Sequence, residues 1–222
     1  MEEWATLKTD KVMMHFTLSD IIAFEKQFRT NLINSISGYK NPFLIGTTNR
    51  KGQTNLAIFN SVVHIGAHPP LIGFISRPNT VERHTLENIL EIGCYTLNHV
   101  TPSFYKQAHQ TSARYPRNKL EFDATQLQES YLKGFLAPFV EVSNLKMGLI
   151  LKEKIDIRSS HTHLIIGEIQ HLFTHENYVD IDGNVDLIKA QSMAVSGLDT
   201  YYTTTKIAQL SYAKPDTNPT EQ

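Results

Sequence analysis

Apolar residues at Ile21, Phe24, Phe28, Leu32 and Ile36 recur every three or four positions, the spacing of one helix face. They predict an amphipathic helix opened by Ser19 as N-cap and stopped by Gly38. From Asn41-Pro42 the period changes. Residues 43–48 and 53–60 read as antiparallel strands joined by the tight turn Asn49-Arg-Lys-Gly52, because Asn and Gly supply the backbone angles a hairpin needs. Ala67-His-Pro-Pro70 blocks regular pairing, since proline lacks an amide donor. The continuous apolar run at 71–75 fits a strand buried on both faces. A short helix is expected over 85–92, with Leu86, Ile89 and Leu90 on one face, Thr85 in capping position and Gly93 just past the end.

Further along, 94–99 reads as a strand and 103–109 as a helical turn begun near Pro102. Residues 111–118 are loop-like, and the basic run Arg114, Arg117 and Lys119 is either a solvated face or an attraction for the phosphate of a dinucleotide. Strands are expected over 140–142, 149–157 and 164–173, and Asp182-Gly183 centres a hairpin turn. The polar, proline-bearing stretch 213–222 reads as a disordered tail. Many strands at hairpin spacing with few, peripheral helices predict a mainly β fold, a closed or nearly closed antiparallel barrel. A doubly wound parallel sheet would need helices alternating with strands throughout. The expected division is an N-terminal extension with its helix over 1–38, one barrel domain over 39–212, and the tail.

Composition narrows the partners. In a chain of 222 residues one sizeable core is feasible, since chains of this length bury roughly 70% of their unfolded surface. A formal net charge of −1 gives no footprint for nucleic acid. Cys94 is the single cysteine, so no intrachain disulfide and no thiolate cluster can form, which fits a reducing, cytoplasmic setting. The N-terminal residues lack the layout of a signal peptide, and no apolar run reaches the roughly 18 residues that span a bilayer.

Catalytic signatures are sparse. The chain has no Gly-x-Gly-x-x-Gly after a strand, no Walker lysine loop, no His-Glu-x-x-His and no Gly-x-Ser-x-Gly elbow. His161 and His163 share one face of a strand without a third ligand and read as surface residues; no metal site is expected. Asp180-Ile-Asp-Gly-Asn184 resembles a fragment of a calcium loop but lacks its closing glutamate, so it reads as a turn. What remains is a concentration of Thr47, Thr48, Asn55, Asn60, Ser61, Ser76, Arg77, Arg83, His84 and Thr85 around two strands and one helix start. A phosphate needs amide and hydroxyl donors with positive charge, and a helix start offers both unpaired amides and a favourable dipole. The alternative is that Thr85 is an ordinary cap and the arginines are solvated. A flavin ring needs a flat apolar wall and backbone groups along its pyrimidine edge. Asn55-Leu-Ala-Ile-Phe59 can supply that edge, since small Ala57 permits close approach while Leu56 and Ile58 face the other side of the strand. A plain core strand is equally compatible with the pattern.

The order of Thr47-Thr48, Gly52, Asn55-Leu-Ala-Ile-Phe-Asn-Ser61, His68-Pro-Pro-Leu71, Ser76-Arg-Pro78, His84-Thr85, Asn88-Ile89 and Tyr95-Thr-Leu-Asn98 resembles the flavin reductase-like family of FMN-binding split barrels. Looser matches continue through Ala108-His109, Thr111-Ser-Ala113, Glu121-Phe122, Ala137-Pro-Phe-Val140, Ile166-Gly-Glu168, Asp182-Gly183 and Gly197-Leu198. The resemblance implies a six-stranded antiparallel Greek-key split barrel with peripheral helices, acting as a homodimer with one FMN per subunit near the interface. It further implies that Thr47, Thr48, Asn55, Ala57, Asn60 and Ser61 line the ring and ribityl chain and that Arg77, His84 and Thr85 hold the phosphate. Leu56, Ile58 and Ser76 complete the expected cofactor-binding set. Family members often carry Lys-Asp-Thr where this chain has Arg83-His84-Thr85, and Arg-Leu-Gly-Gly where it has Ser196-Gly-Leu-Asp-Thr-Tyr-Tyr202. The expected activity is an oxidoreductase passing hydride from NAD(P)H through FMN to free flavin or another small molecule; the alternative is an FMN-binding electron-transfer protein without turnover.

Overall fold

The computed structural model describes residues 13–78 and 83–221. The N-terminal lead and Asn79-Thr80 lie outside them. In chain order the elements are α1 (Leu18–Ala23), α2 (Lys26–Ser35), β1 (Phe43–Thr48), β2 (Thr54–Phe59), β3 (Val62–Ala67), β4 (Pro70–Ser76), α3 (His84–Ile92) and β5 (Cys94–His99). They continue with α4 (Tyr105–Gln110), α5 (Glu121–Thr125), β6 (Glu129–Ser130), β7 (Phe139–Val140), β8 (Leu145–Ile157), β9 (Thr162–Thr174), β10 (Ala194–Ser196) and β11 (Thr200–Tyr202).

Seven strands form one antiparallel sheet in the order β2-β1-β5-β8-β9-β4-β3. Its two edges, β2 and β3, are consecutive in the chain and separated by Asn60 and Ser61 alone. They are two halves of one strand, bent so that its first half pairs with β1 and its second with β4. The sheet therefore closes on itself as a six-stranded barrel, and the connection from β4 through α3 to β5, which returns to pair with β1, makes it a Greek key. Ser61 secures the bend: its hydroxyl donates to the Ile75 carbonyl at 3.1 Å.

Inward-facing residues alternate along the strands. Phe43, Ile45, Phe74, Tyr95, Leu97, Met147, Leu149 and Ile165 fill the barrel, with Leu86 and Ile89 of α3 packed against them. A second cluster on the outer face joins Leu44 and Leu56 to Phe104 at the start of α4, to Ala108 within it and to Phe122 of α5. Strand β9 comes close to Tyr95 at Gly167, where an added Cβ would sit 2.2 Å from the phenol oxygen. That oxygen is buried with no hydrogen-bond partner.

Several expectations change. The N-terminal helix is two helices, because Phe24 turns to extended geometry and the Glu25 carboxylate caps a new start at Gln27 and Phe28. Arg29 Nη1 donates to the carbonyls of Ile22 and Phe24 at 2.8 and 2.9 Å, satisfying the end of α1. Thr17 rather than Ser19 is the N-cap, in a capping box with Asp20. The His68-Pro69 pair does not end pairing but forms the turn of the β3–β4 hairpin, whose register runs to Ala67 opposite Pro70. Strand β4 is buried at Gly73, Phe74 and Ser76 and only partly elsewhere, because its outer face is left open. The Asn49–Gly52 turn and the turn at Asp182-Gly183 lie where expected, with Gly52 and Gly183 at positive φ. Residues 203–221 form neither helix nor strand, with isolated bridges such as Leu210 to Glu221. Among the described residues no helix is long and apolar enough to cross a membrane.

His99, at the end of β5, is buried against the edge of the Phe43 ring. Its Nδ1 lies 2.7 Å from Ser192 Oγ and 3.1 Å from Asn41 Nδ2, and burial pushes its pKa down to about 4. The unfolded chain therefore binds the proton more readily. Stability is complete above the ordinary histidine range and falls as pH drops from about 6.5 toward 4. Urea titrations at pH 7 and pH 5 should show the wild type losing about 2 kcal/mol more than His99→Gln over that step; equal losses would refute it. In the barrel, Gly167→Ala should destabilise by about 1–3 kcal/mol. Tyr95→Phe, which removes an unpaired buried hydroxyl, should cost less than about 1 kcal/mol or stabilise. Denaturation midpoints of both variants check the contrast.

Candidate cofactor site

Two buried side-chain bridges fasten α3 to the barrel wall. Asn55 Nδ2 on β2 donates to Thr85 Oγ1 at 2.9 Å, and Asn88 Nδ2 donates to Thr47 Oγ1 on β1 at 3.1 Å. All four residues are buried. Thr85 is thus not the cap of its helix. Arg83 holds the N-cap position, its side chain makes no capping bond, and its amide donates to Glu87 Oε1 at 3.0 Å. Thr85 lies inside the first turn, with its hydroxyl committed to the strand.

This fastening leaves a cavity of about 600 Å3 where β2 bends into β3 beside the start of α3. The size suits a cofactor or substrate, for which pockets of about 300–1,000 Å3 are typical. One wall is a strand edge with a largely apolar surface: Ala57, Ile58, Phe59 and Leu198. The same lining is cationic, with Arg77, Arg83, Arg114 and the residues His84, Thr85 and Leu86 of the first turn of α3. The guanidinium of Arg83 is held below its ordinary pKa by burial first and then by the positive field of Arg77 and Arg114. Three like charges gathered at a helix start disfavour one another and favour an anion.

The structure brings most of the sequence-predicted residues to this cavity. Asn55, Ala57, Ile58, Asn60 and Ser61 line it from the bent strand, Ser76 and Arg77 from the end of β4, and His84 and Thr85 from α3. Three others sit elsewhere. Thr47 faces the barrel interior against Asn88, Thr48 directs its hydroxyl to the carbonyls of Asn49 and Gln53, and Leu56 is in the outer core. The basic loop divides: Arg114 joins the cavity, Arg117 pairs with Glu87, and Lys119 lies over the Tyr115 ring. His163 pairs with Asp156 across β8 and β9.

The far wall is made of residues that the sequence marked only as loose family matches or as a basic loop, with no cofactor role assigned. Thr111 to Tyr115 follow α4 and line the cavity, and so does Glu121. Glu121 Oε2 accepts from the Leu56 amide at 3.2 Å, and burial raises its carboxyl pKa against the lowering pull of the Glu121 and Leu56 amides and His84. The five-residue helix α5 that carries it is too short for a periodic signal. Leu198 reaches the cavity from the β10–β11 ribbon, which Asn60 Nδ2 secures by donating to the Gly197 carbonyl at 2.7 Å.

A six-stranded split barrel with a rim cavity that gathers three arginines, a helix start and an apolar strand surface is the frame of flavin reductase-type oxidoreductases. The chain belongs to the flavin reductase like domain family, whose profile matches residues 36–188. A protein assigned as a flavin reductase with split barrel domain, from Shewanella frigidimarina, is 49% identical, covering 90% of this chain and 100% of its own with a TM-score of 0.87. Nitrilotriacetate monooxygenase component B from Bacillus cereus is 18% identical, over 90% of this chain and 100% of its own, with a TM-score of 0.78. The 2-nitrobenzoate 2-nitroreductase NbaA from Pseudomonas fluorescens is 19% identical, over 92% and 99%, with a TM-score of 0.77. These last two show the shared fold. A search of curated proteins finds no match.

Thr85→Ala deprives a buried amide of its acceptor and is expected to cost about 1–3 kcal/mol of stability, whereas Thr85→Ser keeps the bond. Denaturant unfolding of the two variants decides the matter, and equal stability would show that the Asn55 bridge carries no weight.

Proposed function

We propose that the cavity holds FMN and that the protein is an NAD(P)H-dependent flavin reductase-type oxidoreductase delivering electrons to free flavin or another small acceptor. The observation that carries this reading is the meeting, in one cavity, of three arginines and a helix start with the β2 strand edge. The phosphate would lie among Arg77, Arg83, Arg114 and the first turn of α3. Asn55, Asn60 and Ser61 offer polar groups along the ribityl path, and Ala57, lacking bulk, lets a ring approach the β2 backbone. Ile58, Phe59 and Leu198 give the ring its apolar contact and exclude water from it.

Bound FMN supplies the hydride chemistry; the chain's part is to hold, orient and shield it. Backbone amides of β2 outside the β1 ladder would favour negative charge on a ring lying against them, that of Leu56 being taken by Glu121 Oε2. No strong side-chain acid or base is required, in keeping with the sparse catalytic signatures of the sequence. Thr47, Thr48 and Leu56 act behind this surface, supporting the wall rather than touching the cofactor. A homodimer with the cofactor near its interface belongs to the same reading, and NADH and NADPH are to be compared directly as donors.

The purified protein should show the visible absorption of bound flavin, or acquire it on adding FMN; a colourless protein that takes up none would sink the proposal. NAD(P)H oxidation should rise severalfold when excess free flavin or another acceptor is added. Bound FMN with no turnover under any acceptor would identify an electron carrier instead.

A further inference from the structure

Beside the flavin cavity lies a second compartment of about 370 Å3. The two share Ile58, Phe59, Asn60, Arg77, Ser112 and Leu198, so occupants of the two would be neighbours. Pro42 and Val195 extend the apolar lining of the second, and Arg77 and Asp199 put one charge of each sign on it. That balance gives little reason to select a formally charged molecule.

Besides these, the compartment holds a hydrogen-bonded pair. His109 Nδ1 of α4 lies 3.1 Å from the hydroxyl of Tyr201 on β11, and the rings meet edge to face with centroids 5.7 Å apart. Tyr105 packs on Tyr201 at 5.5 Å between centroids, so the phenol is confined by two neighbours. Burial, and then the charge of Asp199, push its pKa up to about 12, so the hydroxyl keeps its proton through the neutral range. The ribbon that carries Tyr201 is anchored by Asn60 to Gly197 and by the bridge between Lys40 and Val195. The ribbon thereby sets the position of Tyr201 relative to the flavin cavity.

We propose that this second compartment takes the electron-accepting substrate, an uncharged molecule bearing a hydrogen-bond-accepting oxygen, and that Tyr201, oriented by His109, donates the hydrogen bond that holds this oxygen. The inference rests on the flavin reading above. Its chemistry is consistent in donors and acceptors: in the Nδ1–H tautomer His109 donates to the phenol oxygen, and the phenol proton is left for the ligand. Walls of Ile58, Phe59, Pro42 and Leu198 suit the body of such a molecule, while its oxygen meets the pair at the polar side. The competing role for His109 and Tyr201 is a structural tie between α4 and the ribbon.

The full chain, supplied with FMN, can be titrated by calorimetry with cyclohex-2-enone and with nitrobenzene as probes. Wild type should bind both, Tyr201→Phe should bind them about tenfold more weakly, and its FMN affinity should stay unchanged. His109→Asn, which retains a polar group, should weaken the probes in the same direction. In nitrogen-labelled wild-type protein the His109 ring resonances should shift on saturation with either probe, and in Tyr201→Phe this response should disappear. No binding of either probe, equal probe affinity in wild type and Tyr201→Phe, or a Tyr201→Phe variant that loses stability alone would overturn the proposal. The two readings separate cleanly: FMN uptake without probe binding defeats this inference only, whereas Tyr201-dependent probe binding in a protein that takes no FMN defeats the flavin reading and leaves the compartment standing.

Discussion

The bridges from Asn55 to Thr85 and from Asn88 to Thr47 are the constraint on which the site depends. Each joins a residue of the first hairpin to a residue of α3 some 30 to 41 positions later. In a buried setting such a bond adds little net attraction, but losing one partner strands the other without water. The helix start therefore has one acceptable seat against β1 and β2, and the cationic lining of the cavity is fixed relative to its apolar wall. Arg77, Arg83 and Arg114 repel one another in that seat. They stay gathered because the backbone beneath them is fastened by groups that carry no charge.

The barrel interior takes no direct part in this. It is filled by Tyr95, Phe74 and their neighbours, to the point that β9 must have Gly167 where the Tyr95 ring passes. The cavity lies instead at the rim, where the strand that closes the sheet bends at Asn60 and Ser61. Closure and site construction thus use the same two residues: Ser61 fixes the bend to β4, and Asn60 holds the ribbon that supplies Leu198. Outside, α4 and α5 bury their apolar residues on Leu44 and Leu56 and thereby present Thr111 to Tyr115 and Glu121 to the cavity.

Much of this was legible in the sequence. The hairpin at Asn49–Gly52, strands β5, β8 and β9, the barrel class and the family all follow from alternation, turn residues and the order of short motifs. The misreadings have a common cause. A period reports a face, not a break, so Phe24 and Glu25 looked like one helix with its neighbours although the Glu25 carboxylate starts another. Thr85 looked like a cap because a hydroxyl before an apolar run usually is one, and its true partner, Asn55, is distant in sequence. The far wall of the cavity consists of a loop and a five-residue helix, segments whose placement is decided by packing and leaves no periodic trace. His99 and Tyr201 are equally silent in sequence, since their behaviour comes from burial and from partners contributed by other elements.

The strand order also sets a schedule. Most of the cavity is contributed by residues between Asn55 and Glu121, which are made well before β9. Yet β4 finds its second neighbour only in β9, with Leu71 opposite Glu168, so about a hundred residues separate the two sides of that seam. Pairing across such a span is slow and comes after local hairpins have formed. A nascent chain will therefore have assembled the first hairpin and α3 before the barrel that braces them exists, and a rigid cradle is reached only when the last long strand has left the ribosome and closed the wall.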